Sequence, residues 1–342
     1  MRGLLLMLLL TLPLAGATNA AEVRFFNWSD YLPEEVLERF TAETGIAVRY
    51  STYDSNEGLY AKLKLLGGKG YDLIVPSTYF VDRMGREGLL LPLDRRQLPN
   101  IRHLDPHHLD KPFDAGNRYS LPYLWGTTGI AFDSRRFDPA SLQSWADLWR
   151  PEFRESLLLS NDVREVFHVG LRVLGFSGNT TDTEQIRRAY ERLRQLLPNV
   201  RVFNSDAPLV LFTTGEIDIG MMWSGNAYRA QLENPALVYR CPREGCGLWM
   251  DNLAIPIGAA NPEGAHRLID FLLRPDIARL IAEKTRYASP NAAAVRQLSE
   301  NIRNNPIMYP PAEILEQGEY GTDVGAAVTL YAKYWERLKA GD

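Results

Sequence analysis

The chain has 342 residues, with 38 Lys and Arg against 42 Asp and Glu, and a formal charge of −4 that grows by one unit once Arg2 leaves with the leader described below. A mildly acidic chain without a basic block offers nothing to a phosphate backbone, so nucleic acid is excluded and small cations become the better guests. The length is enough for two domains, each with its own core.

Met1-Arg2-Gly3 followed by the apolar run from Leu4 to Ala17 and small residues through Ala21 reads as an export signal over residues 1–20. The run falls short of the ~20 apolar residues a spanning helix needs. No cysteine follows it to carry a lipid, so a soluble protein outside the cytoplasm is expected, without stable membrane insertion.

The next segment alternates apolar strand and amphipathic helix. Val23–Phe26 is a strand, Pro33 opens a helix with Val36, Leu37 and Phe40 on one face, and Gly45 closes it before the strand Ile46–Tyr50. A helix around Leu59–Leu66 leads to the buried-type strand Asp72–Val75. This is the opening of a parallel α/β domain.

Past Pro122-Tyr123-Leu124-Trp125-Gly126 a second unit begins. It has a short helix near Trp145–Trp149, the strand Ser156–Leu159, a helix from Asp162 and a charged helix near Glu184–Leu196. The strands Ile217–Met222 and Leu248–Ile255 follow, then the helices Ala265–Leu273, Asp276–Lys284 and Val324–Lys339. No linker separates the halves, so continuous strands are expected to join them in a geometry suited to hinge motion. Cys241 and Cys246 flank Pro-Arg-Glu-Gly, which reads as a tight turn between two strands, and in an oxidising compartment a hairpin disulfide is expected.

Motifs rich in rings and carboxylates sit where strands end or helices begin: Asn27-Trp28-Ser29-Asp30-Tyr31, Pro76-Ser77-Thr78-Tyr79, Asp162-Val163-Arg164-Glu165, Met222-Trp223-Ser224-Gly225 and Trp249-Met250-Asp251. Strand ends are where α/β proteins bind ligands, so the pattern points to one cleft lined by rings and negative charge, suited to a cation with an apolar body. Each motif also has a plainer reading. Ser29 or Asp30 can cap the first helix while Trp28 packs inside, and Trp223 and Trp249 can be core. Asp162 and Glu165 have capping-box spacing, yet i, i+3 also puts both carboxylates on one side of a first turn, where they could hold an ammonium group. Asp251, in an apolar run, needs an Arg or a ligand cation as partner.

Nothing resembles catalytic machinery: no nucleophile or orienting histidine lies near Asp162 and Glu165, and G-x-S-x-G, HExxH and CxxC are all absent. No cofactor or metal is expected. Gly67-Gly68-Lys69-Gly70 lacks P-loop spacing, and His103, His107 and His108 lack ligand spacing.

Taken together, these motifs resemble the periplasmic spermidine/putrescine-binding proteins of the PotD type, the receptors of bacterial polyamine ABC importers. Tyr50-Ser51-Thr52-Tyr53, Ser144-Trp145-Ala146-Asp147-Leu148-Trp149, Gly178-Asn179-Thr180-Thr181 and Asp323-Val324-Gly325-Ala326-Ala327 extend the likeness over essentially the whole mature chain. The resemblance implies an α/β fold of two lobes, the type II-like periplasmic binding protein fold with the ligand cleft between them. The N-terminal lobe is expected at 21–126 plus 252–297 and the C-terminal lobe at 127–251 plus 298–342. It implies a monomeric periplasmic receptor rather than an enzyme, handing a polyamine, with spermidine favoured over putrescine, to an inner-membrane permease. Carried over by motif, Trp28, Tyr31, Tyr79, Trp223, Trp249 and Tyr287 would be aromatic walls, and Asp162, Glu165 and Asp251 would pair with ammonium groups. Ser29, Ser77 and Ser205 would be polar contacts, with Asp30 as a further one. Two positions depart from the spermidine pattern: Ser29 replaces Thr, and Gly321 replaces a Gln that contacts ligand.

Overall fold

The computed structural model describes residues 22–341; the export signal read over residues 1–20 lies outside the described residues. The strands are β1 Glu22–Trp28, β2 Ala47–Tyr53, β3 Leu73–Ile74, β4 Ser120–Asp133, β5 Leu157–Leu159, β6 Val200–Phe203, β7 Ile219–Trp223, β8 Leu237–Arg240, β9 Gly247–Ala254 and β10 Glu319–Tyr320. The helices include α1 Glu34–Thr44, α2 Asn56–Leu65, α3 Thr78–Arg86, α4 Val163–Val173, α5 Thr183–Arg194, α6 Pro208–Thr213, α7 Ser224–Glu233, α8 Pro262–Leu272 and α9 Pro275–Thr285.

The strands form one curled sheet in the order β2-β1-β3-β9-β4-β7-β5-β6, with β10 beside β9 and β8 beside β4. β1 pairs in parallel with both β2 and β3, as the alternating pattern demands. α1 ends where expected, because Gly45 takes the left-handed conformation (φ 71°) and its N–H closes on the Thr41 carbonyl.

The buried apolar residues divide around two strands. One cluster gathers Phe25, Phe40, Leu59, Leu73 and Leu121 with α8 and α9; another gathers Phe132, Trp145, Phe153, Phe167, Tyr190 and Tyr331. A third, with Trp125, Tyr228, Met250 and Met308, lies where the two meet. β4 is buried over all 14 residues and passes from the first cluster to the second, with β9 antiparallel to its first part and β7 to its last. Two antiparallel strands thus carry the chain between two cores, which makes the fold two-lobed.

The cysteine turn differs from expectation. Cys241 and Cys246 are joined by a disulfide with Cα atoms 5.0 Å apart, but β8 and β9 do not pair with each other. Both pair with β4, at Ile130–Asp133 and Ser120–Thr128, so the turn is an arch between strands laid end to end. Gly245 takes a positive φ of 92° at its apex, and Trp145 Nε1 donates to its carbonyl at 2.9 Å.

Candidate functional site

Between the lobes lies a cavity of about 210 Å³, and all thirteen ligand-binding candidates read from the sequence line it: Trp28, Ser29, Asp30, Tyr31, Ser77, Tyr79, Asp162, Glu165, Ser205, Trp223, Trp249, Asp251 and Tyr287. They come from strand ends and helix starts distant in the chain, brought together by the sheet order.

On the first lobe the loop after β1 turns through Asp30, whose φ of 56° is left-handed, a conformation Asp tolerates better than most residues. Trp28 is fixed by its Nε1, which donates to the Val75 carbonyl at 2.9 Å. Tyr31 OH reaches Asp251 Oδ2 at 2.7 Å. From the turn before α3, Ser77 Oγ donates to Asp251 Oδ1 at 2.5 Å, and the Asn252 N–H donates to the Pro76 carbonyl at 3.0 Å, holding this turn against β9. Asn56 orients the turn further: its Oδ1 accepts from the Ser77 N–H at 3.0 Å and its Nδ2 donates to Tyr79 OH at 3.2 Å.

On the other side Asp162 caps α4, with Oδ1 accepting from the N–H groups of Arg164 (2.8 Å) and Glu165 (3.0 Å). The capping box is not completed. Glu165 turns into the cleft instead, accepting from Thr128 Oγ1 at 2.7 Å and from Trp223 Nε1 at 2.9 Å. Ser205 Oγ accepts from the Asn161 N–H at 2.9 Å and so positions the residue before the cap.

The rings form walls. Trp28 and Trp223 meet edge to face with centroids 6.2 Å apart; Tyr287 stands 5.0 Å from Tyr31 and 5.4 Å from Trp249. Glycines make this packing possible. A Cβ on Gly126 would sit 2.6 Å from the Trp249 indole, and one on Gly225 would enter the Tyr287 ring. The Trp-Ser-Gly and Trp-Gly pairs in the sequence therefore mark places where rings lie on bare backbone.

The electrostatics are one-sided. Among the described residues, Asp162, Glu165 and Asp251 have no Lys, Arg or His nitrogen within 4.0 Å, although Asp162 and Asp251 are only 8% and 4% exposed. Burial pushes Asp251 up to about 7 despite the hydrogen bonds from Ser77 and Tyr31. Burial, and then the neighbouring Asp162 charge, push Glu165 up as well; burial also raises Asp162, opposed by its capping hydrogen bonds. Carboxylates this costly to ionise are stabilised by a cation entering from outside.

Sequence reasoning missed several neighbours. Arg164 lies within a motif singled out for its acids, but its guanidinium bonds the Thr322 and Gly178 carbonyls and stands 5.5 Å over the Tyr79 ring. Thr128 and Asn56 orient acids and rings from positions with no distinguishing local pattern. Glu57, in the first turn of α2, is pushed up to about 8 by burial and then by the Asp162 charge. Arg229, on α7, places Nη1 3.6 Å from Asp30 Oδ2.

No helix among the described residues is long and apolar enough to cross a membrane. The profile of the bacterial extracellular solute-binding proteins matches residues 35–310. The spermidine/putrescine-binding periplasmic proteins of Salmonella typhimurium and of Escherichia coli K12 are each 50% identical over 327 residues, covering 96% of this chain and 94% of theirs. A putrescine-binding periplasmic protein of Pseudomonas aeruginosa is 34% identical over 98% of both chains. Among solved structures, one from Listeria monocytogenes superposes with a TM-score of 0.90 at 37% identity over 93% of this chain and 98% of that one. The spermidine/putrescine substrate-binding protein PotD of Streptococcus pneumoniae gives 0.78 at 35% identity over 94% and 99%. With a two-lobed fold, an acid-lined cleft and this agreement along its length, the chain belongs to the bacterial extracellular solute-binding proteins, which are receptors and not enzymes.

Proposed function

We propose that this receptor captures a polyamine in its cleft, spermidine in preference to putrescine, and presents it as a periplasmic monomer to a membrane ABC importer. The observation that carries the reading is the set of buried acids Asp162, Glu165 and Asp251, none of them in an ion pair within 4.0 Å among the described residues, interleaved with Trp28, Tyr31, Tyr79, Trp223, Trp249 and Tyr287. A polyamine has the complementary form, ammonium charges separated by methylene runs. Ring faces cover methylenes and attract ammonium groups, at ~0.5–2 kcal/mol per contact depending on desolvation. Asp251 holds one end of the ligand and the Asp162/Glu165 pair the other, while Ser29, Ser77 and Ser205 add polar contacts. The names of the 50% identical relatives support the same ligand class.

The lobes move as bodies bounded at 21–126 plus 252–297 and 127–251 plus 298–342, a division supported by the two outer core clusters. The segment after β10 already touches both: the Gly321 carbonyl accepts from Thr78 Oγ1 at 3.0 Å, Arg86 pairs with Asp323, and Arg164 reaches the Thr322 carbonyl. A ligand held from both sides favours the closed arrangement, the form an importer recognises.

Gly321 supports a second reading, a putrescine receptor. With no side chain there, that end of the ligand is left to the acids and the Tyr79 ring, and relatives at 34% identity carry putrescine in their names. Native mass spectrometry of protein purified without refolding tests the ligand class by the mass of whatever travels with it. Competition between putrescine, spermidine and spermine then ranks them. Failure of all three to bind would refute the proposal.

A further inference from the structure

The segment that follows β10 is fixed to the second lobe. Asn179 holds it twice, its Oδ1 accepting from the Thr322 N–H at 2.8 Å and its Nδ2 donating to the Tyr320 carbonyl at 2.8 Å, while Arg164 Nη1 donates to the Thr322 carbonyl at 3.0 Å. Val324 is then buried in the apolar cluster of Phe167 and Tyr331. From this base two contacts reach α3 on the first lobe: Thr78 Oγ1 donates to the Gly321 carbonyl at 3.0 Å, and the Asp323 carboxylate pairs with the Arg86 guanidinium. The Arg86 end is arranged in advance, because its Nε donates at 3.0 Å to Oδ1 of Asp82, four residues earlier on the same helix. The Asp323 side chain is only 8% exposed, and Arg86 is its one ion-pair partner within 4.0 Å among the described residues. Neither Arg86 nor Asp323 lines the cavity.

We propose that Arg86 and Asp323 form a latch: they are positioning residues that hold the lobes closed and so set the affinity for amines without touching the ligand. The inference rests on the closure between the lobes proposed above. An open cleft leaves the Asp323 carboxylate in water, and closing brings it against a guanidinium that Asp82 already orients. A pair exposed on both sides would contribute little, but a carboxylate that loses its water on closure depends on its partner. Every ligand that needs the closed form gains from the pair by the same factor, since apparent affinity scales with the population of the competent form.

The test is calorimetric titration with putrescine and spermidine of wild type, Arg86→Gln, Arg86→Lys, Asp323→Asn and the double variant Arg86→Gln/Asp323→Asn. Arg86 is 59% exposed, so its exchange leaves the fold intact. Arg86→Gln should weaken both amines by one common factor, about three- to tenfold for an ion pair with one partner buried, and leave their affinity ratio where it was. Arg86→Lys should keep most of the affinity, and the double variant should bind about as well as either single one. Unchanged affinities in Arg86→Gln, a changed ratio between the amines, or losses that add in the double variant each overturn the inference. Spin labels placed at the exposed positions Glu38 on α1 and Glu191 on α5 give a readout that needs no ligand: the interlobe distances of free Arg86→Gln should shift toward longer values than those of free wild type. Identical distance distributions also overturn the latch. If the wild type binds neither amine, the polyamine reading fails, and these distances still decide the latch.

Discussion

Replacing Asp251 with Asn removes a charge and almost no volume, which makes it a direct probe of what the cleft holds. The carboxylate offers about four acceptor positions. Ser77 Oγ and Tyr31 OH occupy one on each oxygen, at 2.5 and 2.7 Å, leaving room for an ammonium group. Removing one partner of a buried charge pair costs ~2–5 kcal/mol, so spermidine should bind roughly 30-fold to several-thousand-fold more weakly to Asp251→Asn by calorimetry at pH 8. Folding stability should move differently. The folded-state pKa of about 7 stands above the ordinary value of 3.8, so the stability linked to this group is full below that ordinary value and is lost as pH rises through about 7. Asn escapes that loss. The ligand-free variant should therefore melt no lower than wild type at pH 8, while its affinity collapses. Binding within threefold of wild type would refute the assignment of Asp251 to an ammonium group. A parallel loss of melting temperature and affinity would instead make the residue a structural one.

The same linkage predicts that spermidine binding releases protons from Asp251 and Glu165, so affinity should fall by about tenfold or more from pH 8 to pH 6 while the amines stay charged. The apparent binding enthalpy should then vary with the ionisation enthalpy of the buffer; a flat affinity profile over that range contradicts the raised carboxylates. Gly225→Ala should push the Tyr287 ring off the start of α7, lowering stability by about 1–3 kcal/mol and weakening amine binding, measured by thermal melts and titration. Small-angle scattering should show a smaller radius of gyration when spermidine is added, and an unchanged radius would count against closure between the lobes.

The cleft was easier to read from the sequence than the sheet that builds it. Rings and acids at the ends of short apolar runs are local signals, and the cavity gathers Trp28, Tyr31, Tyr79, Asp162, Glu165 and Asp251 as the motifs suggested. α1 was equally legible, from Pro33 to the left-handed Gly45. β4 was not. The sequence pattern marks only the start of a second unit past Pro122–Gly126, whereas one strand runs on from Ser120 to Asp133: the ladder shifts register between Pro122 and Leu124, where the missing N–H of proline is tolerated, and Gly126 and Gly129 are demanded by Trp249 on one side and the Arg240 backbone on the other. These are pairings across more than a hundred residues, and periodicity within a window carries no information about them. The cysteine turn misled for the same reason, since the partner of both flanking strands is β4.

The Asp162/Glu165 pair shows how a local rule can be half satisfied. Asp162 caps α4 as its spacing predicts, while Glu165 abandons the reciprocal bond for Thr128 and Trp223. Completing the box would have stabilised the helix start and removed an acid from the cleft. The chain instead holds Glu165 beside Asp162, whose charge makes Glu165 harder to ionise, and adds Glu57 within reach of the same charge. Local consistency is broken here, and the proposed cation site accounts for acids that the fold alone would not keep. An empty cleft of this kind is electrostatically strained, and relief of that strain by an arriving ammonium group adds to its binding free energy. The acids that weaken the free protein above neutral pH are thus the same ones that the proposed binding mode sets against the ammonium groups.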